Sequence, residues 1–243
     1  MVQVGFKSDR GLKRSNNEDA CFVVPKDNVY IIADGVGGNN AGEIASRTAV
    51  SRVAEYVREH DISKAKDDES LRDYFMDCLT EVNTLIYNMD ADRDKKSGRA
   101  TTIVVAYITG DTAYFINVGD SRAYVCRDGR ISQITEDHTY VNTLLKNGTI
   151  TADEVRKHPK RNMITRALGG DAIVEPDFYR MDVKKNDVIL LCTDGLHSEL
   201  TDDEICEITD AGDSMSDTCA KLVVRANQKG GRDNITVICL KLS

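Results

Sequence analysis

A chain of 243 residues with 41% apolar and 30% charged side chains is ordinary globular material, long enough to bury a substantial core. Its net charge of −8 provides no basic surface for a nucleic acid or an anionic membrane, so neither is an expected partner, and no apolar run approaches a membrane span. Seven cysteines, odd in number and without a CxxC pair, fall mostly in apolar runs. With no signal-peptide pattern in Met1-Val-Gln-Val, they point to a reducing, cytoplasmic location.

No linker appears, and residues 1–243 read as one domain. A short strand pattern opens the chain, followed by the polar segment from Ser8 to Asp19. Glu18 and Asp19 are adjacent just before a second apolar run, Cys21 to Val24; in a strand they would face opposite ways, so regular structure points at most one inward. A solvated acidic turn is the plainer alternative. Arg14 is the cation placed to read an anion, since its guanidinium fork matches phosphate, with surface solvation as its alternative. After a turn over Pro25 to Asn28, the run Val29 to Ala33 reads as a buried strand that stops at Asp34 and passes into Gly35, Gly37 and Gly38. Taken alone, Asp34-Gly35 is a hairpin-turn signal.

Ala41 to His60 reads as a helix with Ile44, Ala45, Val53, Ala54 and Val57 on one face. Leu71 to Met89 carries a second apolar stripe at threes and fours, giving an antiparallel helix pair on one face of a sheet. Thr101 to Ile108, the strand to Asn117, and the pair Arg122–Arg127 and Ile131–Thr135 read as an antiparallel meander of hairpins. From Asp137 to Tyr179 the pattern breaks up. Thr151-Ala-Asp-Glu154 is a capping box opening a short helix that Pro159 closes. The basic, glycine-ended segment Arg161 to Gly170 reads either as a mobile segment over a site or as ordinary surface loop. Phe178–Val183 and Val188–Thr193 read as a hairpin delivering Asp194. Thr201-Asp-Asp-Glu204 caps another helix, Met215, Cys219, Leu222, Val223 and Ala226 stripe a last one, and Ile235 to Leu240 closes the chain. Consecutive helix pairs at 41–90 and 201–228 exclude a doubly wound fold. They favour an α+β architecture, an antiparallel β-sandwich of two sheets flanked by pairs of antiparallel helices.

One design recurs. The run ending at Asp34-Gly35 is matched by Asp187 to Asp194-Gly195 and by Ala113 to Gly119-Asp120, and Asp233 adds an aspartate at the last strand boundary. Turns give no reason for buried strands to deliver aspartates at one rim; a metal site does. Carboxylates held together raise one another's pKa until a cation joins them, and all-oxygen ligands select Mg²⁺ or Mn²⁺ over zinc. Two such ions make a hydroxide at neutral pH and clamp an in-line displacement on phosphorus, with no protein nucleophile required. Rival chemistries are weaker. Cys219 to Arg225 has the spacing of a thiol phosphatase loop but lies in a helix stripe. His60, His138, His158 and His197 form no zinc pair, and Gly35-Val-Gly-Gly38 lacks the Lys-Ser/Thr of a nucleotide loop.

The ordered segments Ser8-Asp9-x-Gly11-x-x-Arg14-x-x-Asn17-Glu18-Asp19, Ala33-Asp34-Gly35-x-Gly-Gly-x-x-Ala41-Gly42-Glu43, Ala100-Thr101-Thr102, Val118-Gly119-Asp120-Ser121-Arg122, Thr135-x-Asp137-His138, Thr165-Arg166-Ala167-Leu168-Gly169, Cys192-Thr193-Asp194-Gly195-Leu196 and Gly231-x-Asp233-Asn234-Ile235-Thr236-Val237 span nearly the whole chain. Together they resemble the metal-dependent, type 2C (PPM) protein serine/threonine phosphatases in their compact bacterial form. The resemblance implies that Asp34 bridges two Mn²⁺ or Mg²⁺ ions, with the Gly35 carbonyl, Asp194 and Asp233 as further ligands. It implies that Glu18 and Asp19 serve directly or through waters, that Arg14 holds the substrate phosphate, and that Asp120 binds a possible third ion. Residues 139–180 match the family's variable flap. Four positions depart from its pattern: Val36 replaces a histidine proposed as general acid in animal members, Asn39 a histidine common in bacterial ones, Ser198 a second acidic ligand of the third ion, and Ala100 a glycine.

The expected function is hydrolysis of phosphoserine and phosphothreonine in proteins by a hydroxide bridging two metal ions, in a monomer opposing a bacterial Ser/Thr kinase. A catalytically inactive phosphoprotein-binding module and a hydrolase of small phosphoesters are the alternatives.

Overall fold

A computed structural model describes residues 2–38, 40–89, 98–155 and 157–243. In chain order the elements are β1 (Val2–Asp9), β2 (Asp19–Val24), β3 (Val29–Val36), α1 (Ala41–Glu59), α2 (Asp68–Asn88), β4 (Ala100–Thr101), β5 (Ile103–Thr109), β6 (Thr112–Val118), β7 (Arg122–Arg127), β8 (Arg130–Gln133), α3 (Tyr140–Lys146), α4 (Ala152–Val155), β9 (Asp177–Asp182), β10 (Val188–Cys192), α5 (Asp194–His197), α6 (Asp202–Asp210), α7 (Met215–Lys229) and β11 (Ile235–Leu242). One sheet runs β1-β11-β10-β7-β8. The other runs β2-β3-β5-β6-β9, with β4 added at the end of β3. Every pairing is antiparallel.

The central strands read as unbroken apolar runs because both of their faces are buried. In β3, Tyr30 and Ile32 enter the layer between the sheets with Val104, Phe115, Ile189, Leu191 and Ile238. Their neighbour Ile31 points outward onto α1 and α2, against Val53, Phe75 and Leu79. On the opposite side Leu190, Val237 and Cys239 meet Leu222, Val223 and Ala226 of α7. The layers are therefore helix pair, sheet, sheet, helix pair, as the helix stripes predict. The seven cysteines are free thiols, six of them buried. No helix among the described residues is long and apolar enough to cross a membrane.

Three readings of the sequence are corrected. β3 does not stop at Ala33; it runs through Asp34 and Gly35 to Val36, because Gly35 pairs with Thr101 and Val36 with Ala100. A Cβ on Gly35 would lie 2.2 Å from the Gly42 carbonyl oxygen, so only glycine lets α1 begin against this strand end. The meander is split: β5 and β6 pair in one sheet, β7 and β8 in the other, and the chain crosses between them at Gly119–Ser121. Phe178–Val183 and Val188–Thr193 likewise form no hairpin, since β9 pairs with β6 while β10 pairs with β7 and β11. Period-two alternation specifies a face, not which sheet a strand joins. The helix α3, capped by the Thr139 hydroxyl accepting from the Asn142 N–H, is an element the sequence reading lacks.

Candidate active site

The aspartates do converge. Arg14, Glu18, Asp34, Gly35, Asp120, Asp194 and Asp233 line one cavity of about 330 Å³, together with Val36, Gly37, Asn162, Ile164 and Asn234. Asp19 lies just behind it, directly across from Asp34 in the β2–β3 pairing. Both sheets contribute, and every contributing strand does so at the same end.

Each carboxylate is placed by backbone contacts that are local consequences of the sequence. The Asp34 N–H donates to Thr102 Oγ1 at 3.0 Å, and the Asp34 carbonyl accepts from Thr101 Oγ1 at 2.8 Å and the Thr102 N–H at 2.9 Å. The paired threonines thus fix Asp34 without touching its carboxylate. The Glu18 carbonyl accepts from the Gly35 N–H at 3.1 Å and from Ser46 Oγ at 2.5 Å, while the Glu18 N–H donates to Asn234 Oδ1 at 2.8 Å. Asp19 Oδ2 accepts from Thr193 Oγ1 at 2.8 Å, one residue before Asp194. Glu18 and Asp19 therefore both serve the site, one at the cavity and one beneath it; Glu18 lies before the strand begins, which frees it from the alternation rule.

Asn234 and His197 are positioning residues that the sequence reading names only in motifs or rejects as ligands. Besides accepting from Glu18, Asn234 donates from Nδ2 to the carbonyls of Arg10 and Asn16, each at 2.9 Å, so one buried amide pins the loop carrying Arg14. Asn234→Ala leaves these backbone groups unpaired and is expected to cost about 2–4 kcal/mol, read as a lower denaturation midpoint. His197 Nε2 donates to the Asp120 carbonyl at 3.0 Å, and burial holds this imidazole neutral, its pKa pushed down to about 3.

The electrostatics call for cations. Burial, then the charges of Asp19, Asp194, Asp120 and Asp233, raise the Asp34 carboxyl well above the usual range. Burial first and neighbouring carboxylates second push Asp19 up to about 7, Asp120 to about 8 and Asp194 to about 6. Among the described residues, Asp19 Oδ1 and Asp194 Oδ1 are buried without a hydrogen-bond partner. Orphaned carboxylate oxygens of this kind fit a hard divalent ion. Among the described residues no three acidic, histidine or cysteine side chains close into a tight single-ion cage. The donors instead ring a wider basin, as ions that keep several waters require. Arg14 stands half exposed at the rim, its Nη2 donating to Asp233 Oδ2 at 2.6 Å.

The profile of the family described as Protein phosphatase 2C matches residues 12–236. The chain belongs to that family. This phosphatase is 34% identical over 239 residues to the serine/threonine phosphatase stp of Listeria monocytogenes, covering 97% of this chain and 94% of the relative. It is 34% identical over 241 residues to the serine/threonine protein phosphatase PstP of Mycobacterium tuberculosis, covering 98% of this chain and 44% of that one. The solved structure of the Streptococcus agalactiae serine/threonine phosphatase superposes with a TM-score of 0.93 at 34% identity over 100% of both chains. The catalytic domain of PstP in complex with two manganese ions superposes with a TM-score of 0.85 at 30% identity, over 100% of this chain and 99% of that one. The chain is a protein serine/threonine phosphatase.

Within that frame, Val36 stands half exposed on the cavity wall and offers no proton to a leaving group. Asn39 lies outside the described residues. Cys219 is buried in α7, away from any anion cradle, which disposes of the thiol route. The segment Arg161 to Gly170 combines both of its readings. Asn162 and Ile164 line the cavity, while Leu168 is fully buried and bridged to Thr101.

Proposed function

We propose that this phosphatase hydrolyses phosphoserine and phosphothreonine in proteins at the carboxylate basin, with Asp34, the Gly35 carbonyl, Asp194 and Asp233 holding two divalent ions. Glu18 and Asp19 support them, and Asp120 is the donor for a third. The observation that carries this reading is the pair of orphaned, buried oxygens on Asp19 and Asp194 inside a cluster whose carboxyls are all raised. Manganese fits that donor set, and a manganese-bound relative of the same fold supports the choice; magnesium fits by the same oxygen chemistry. When bound, such ions supply an acidified water and neutralise charge on the phosphoryl oxygens.

The chain's own residues supply position. Thr101, Thr102 and Ser121 hold the Asp34 backbone, Asn234 holds the loop of Arg14 and Glu18, and Asp233 tethers the Arg14 guanidinium at the rim. Arg14 spends one of its five N–H donors on Asp233 and directs the fork toward a phosphate entering above the carboxylates. Ile164 and Val36 form apolar wall on either side and limit water beside the reacting phosphorus. Residues 1–243 act as one catalytic domain in this reading, with the flap at 139–180, and the counterpart enzyme is a Ser/Thr kinase.

Release of phosphate from a phosphothreonine peptide, with Mn²⁺ and with EDTA, tests the proposal. Turnover that needs the ion is expected; turnover of p-nitrophenyl phosphate alone would favour a small-phosphoester hydrolase. Arg14→Ala is expected to raise KM for the peptide about tenfold with kcat little changed. An unchanged KM would reduce Arg14 to an exposed ion pair with Asp233.

A further inference from the structure

The Gly119–Asp120 turn, where the chain passes from one sheet to the other, is held by more than its own backbone. The Gly119 N–H donates to His138 Nδ1 at 3.1 Å, the His138 N–H donates to the Gly119 carbonyl at 2.9 Å, and Asn117 Nδ2 reaches the same carbonyl at 3.3 Å. Because Nδ1 accepts, the ring proton sits on Nε2, which donates to Asp177 Oδ2 at 3.1 Å. Asp177 Oδ1 in turn accepts from Arg166 Nη1 at 2.8 Å. Arg166 Nη1 also lies 3.3 Å from His138 Nε2, two donors kept together by the carboxylate they share. Arg166 belongs to the segment whose Asn162 and Ile164 face the cavity, and the Thr165 N–H donates to the His138 carbonyl at 2.8 Å. One buried imidazole therefore has the Asp120 turn on one nitrogen and the flap on the other.

We propose that His138 is a positioning residue that makes the flap and the Asp120 turn a single mechanical unit, through the chain Gly119–His138–Asp177–Arg166. The imidazole ring is rigid and 7% exposed, so displacement of Asp177 at one end moves the Gly119 N–H at the other. A phosphoprotein that shifts the cavity-lining flap residues thereby resets the carboxylate of Asp120. His197, donating to the Asp120 carbonyl from α5, provides the fixed side of the same turn. The inference deepens the reading of Asp120 as part of the ion basin and rests on it.

Arg166, at the half-exposed end of the chain, is the place to break it without disturbing the core. Arg166→Gln and Asp177→Asn are expected to shift the amide signals of Gly119 and Asp120 in heteronuclear NMR spectra of the full chain. Lys157→Gln, on the exposed flap surface, is expected not to. Kinetics with a phosphothreonine peptide give a second reading. Arg166→Gln and Asp120→Asn are each expected to raise KM several-fold, and the double variant to be no worse than the worse single. His138→Gln retains a donor for Asp177 but offers Gly119 no acceptor, and is expected to match Arg166→Gln in KM. Unmoved Gly119 and Asp120 signals, or a double variant whose KM rise is the product of the singles, would overturn the proposal. Wild-type kinetics in Asp120→Asn would instead remove Asp120 from the site, and the amide shifts would then decide alone.

Discussion

Asp34→Ala is expected to abolish turnover of a phosphothreonine peptide with Mn²⁺ present, by more than the roughly 10–100-fold that loss of a supporting outer contact costs. The fold is expected to survive, for a reason visible in the geometry. The hydrogen bonds that hold Asp34 use its N–H and carbonyl, on Thr101 and Thr102, and its side chain stabilises nothing in the ion-free chain. The carboxylate is instead the most repelled of the cluster, facing the charges of Asp19, Asp194, Asp120 and Asp233. In EDTA at alkaline pH the variant should therefore melt no lower than the parent. Activity near that of the parent would refute the bridging role. A collapse of the melting temperature would refute the claim that only the backbone matters structurally.

Without divalent ions the chain is expected to lose stability as pH rises from about 6.5 to about 8.5. The sign follows from linkage. Asp19 and Asp120 hold their protons to about 7 and about 8 in the folded state, against 3.8 as the ordinary value. The native chain then binds more protons than the unfolded one, so stability is fully present below the unfolded value and is lost as pH rises through the folded ones. Below pH 6.5 the trend is masked. The neutral, buried imidazoles of His197 and His138 have depressed pKa values and withdraw stability as pH falls from 6.5. Glu199, kept low by its hydrogen bonds from Arg232, withdraws more below about 4.5. The alkaline loss should reach at least about 2 kcal/mol, a fall of roughly 4–8 °C in Tm for a chain of this size. Added Mn²⁺ should cancel it, because the ion takes the place of the protons. A melting profile flat between pH 6.5 and 8.5 in EDTA would show that the carboxylates do not crowd one another as the structure places them.

Much of the site is legible in the sequence because its donors sit at strand ends, where an apolar run stops abruptly at a carboxylate. Asp34, Asp194 and Asp233 are found that way, and α1, α2, α6 and α7 are found by their stripes. What stays hidden is whatever depends on partners distant in the chain. Alternation in Ala113–Asn117 and Arg122–Arg127 cannot reveal that the two strands belong to different sheets, although the glycine between them, at φ +107 against the Thr102 side chain, marks the crossing. Thr101 and Thr102 look like ordinary strand formers until Asp34 is seen hanging from them. His138 and His197 carry no ligand spacing, since their work is to receive or donate one backbone hydrogen bond each. α3 had a usable signal in Thr139 as cap, obscured by the polar run around it.

The strand directions have a consequence for handling the molecule. β3, β6, β10 and β2 meet the carboxylates at one extremity, whereas the tips at Pro25–Asn28, Gly110–Asp111, Asp128–Gly129 and Lys184–Asp187 all lie at the other. Val2 and Leu242, paired with each other, belong to that far pole as well. A tether, dye or additional module joined there leaves on the side turned away from incoming phosphoprotein. Immobilising the enzyme through either of those ends should leave substrate access untouched.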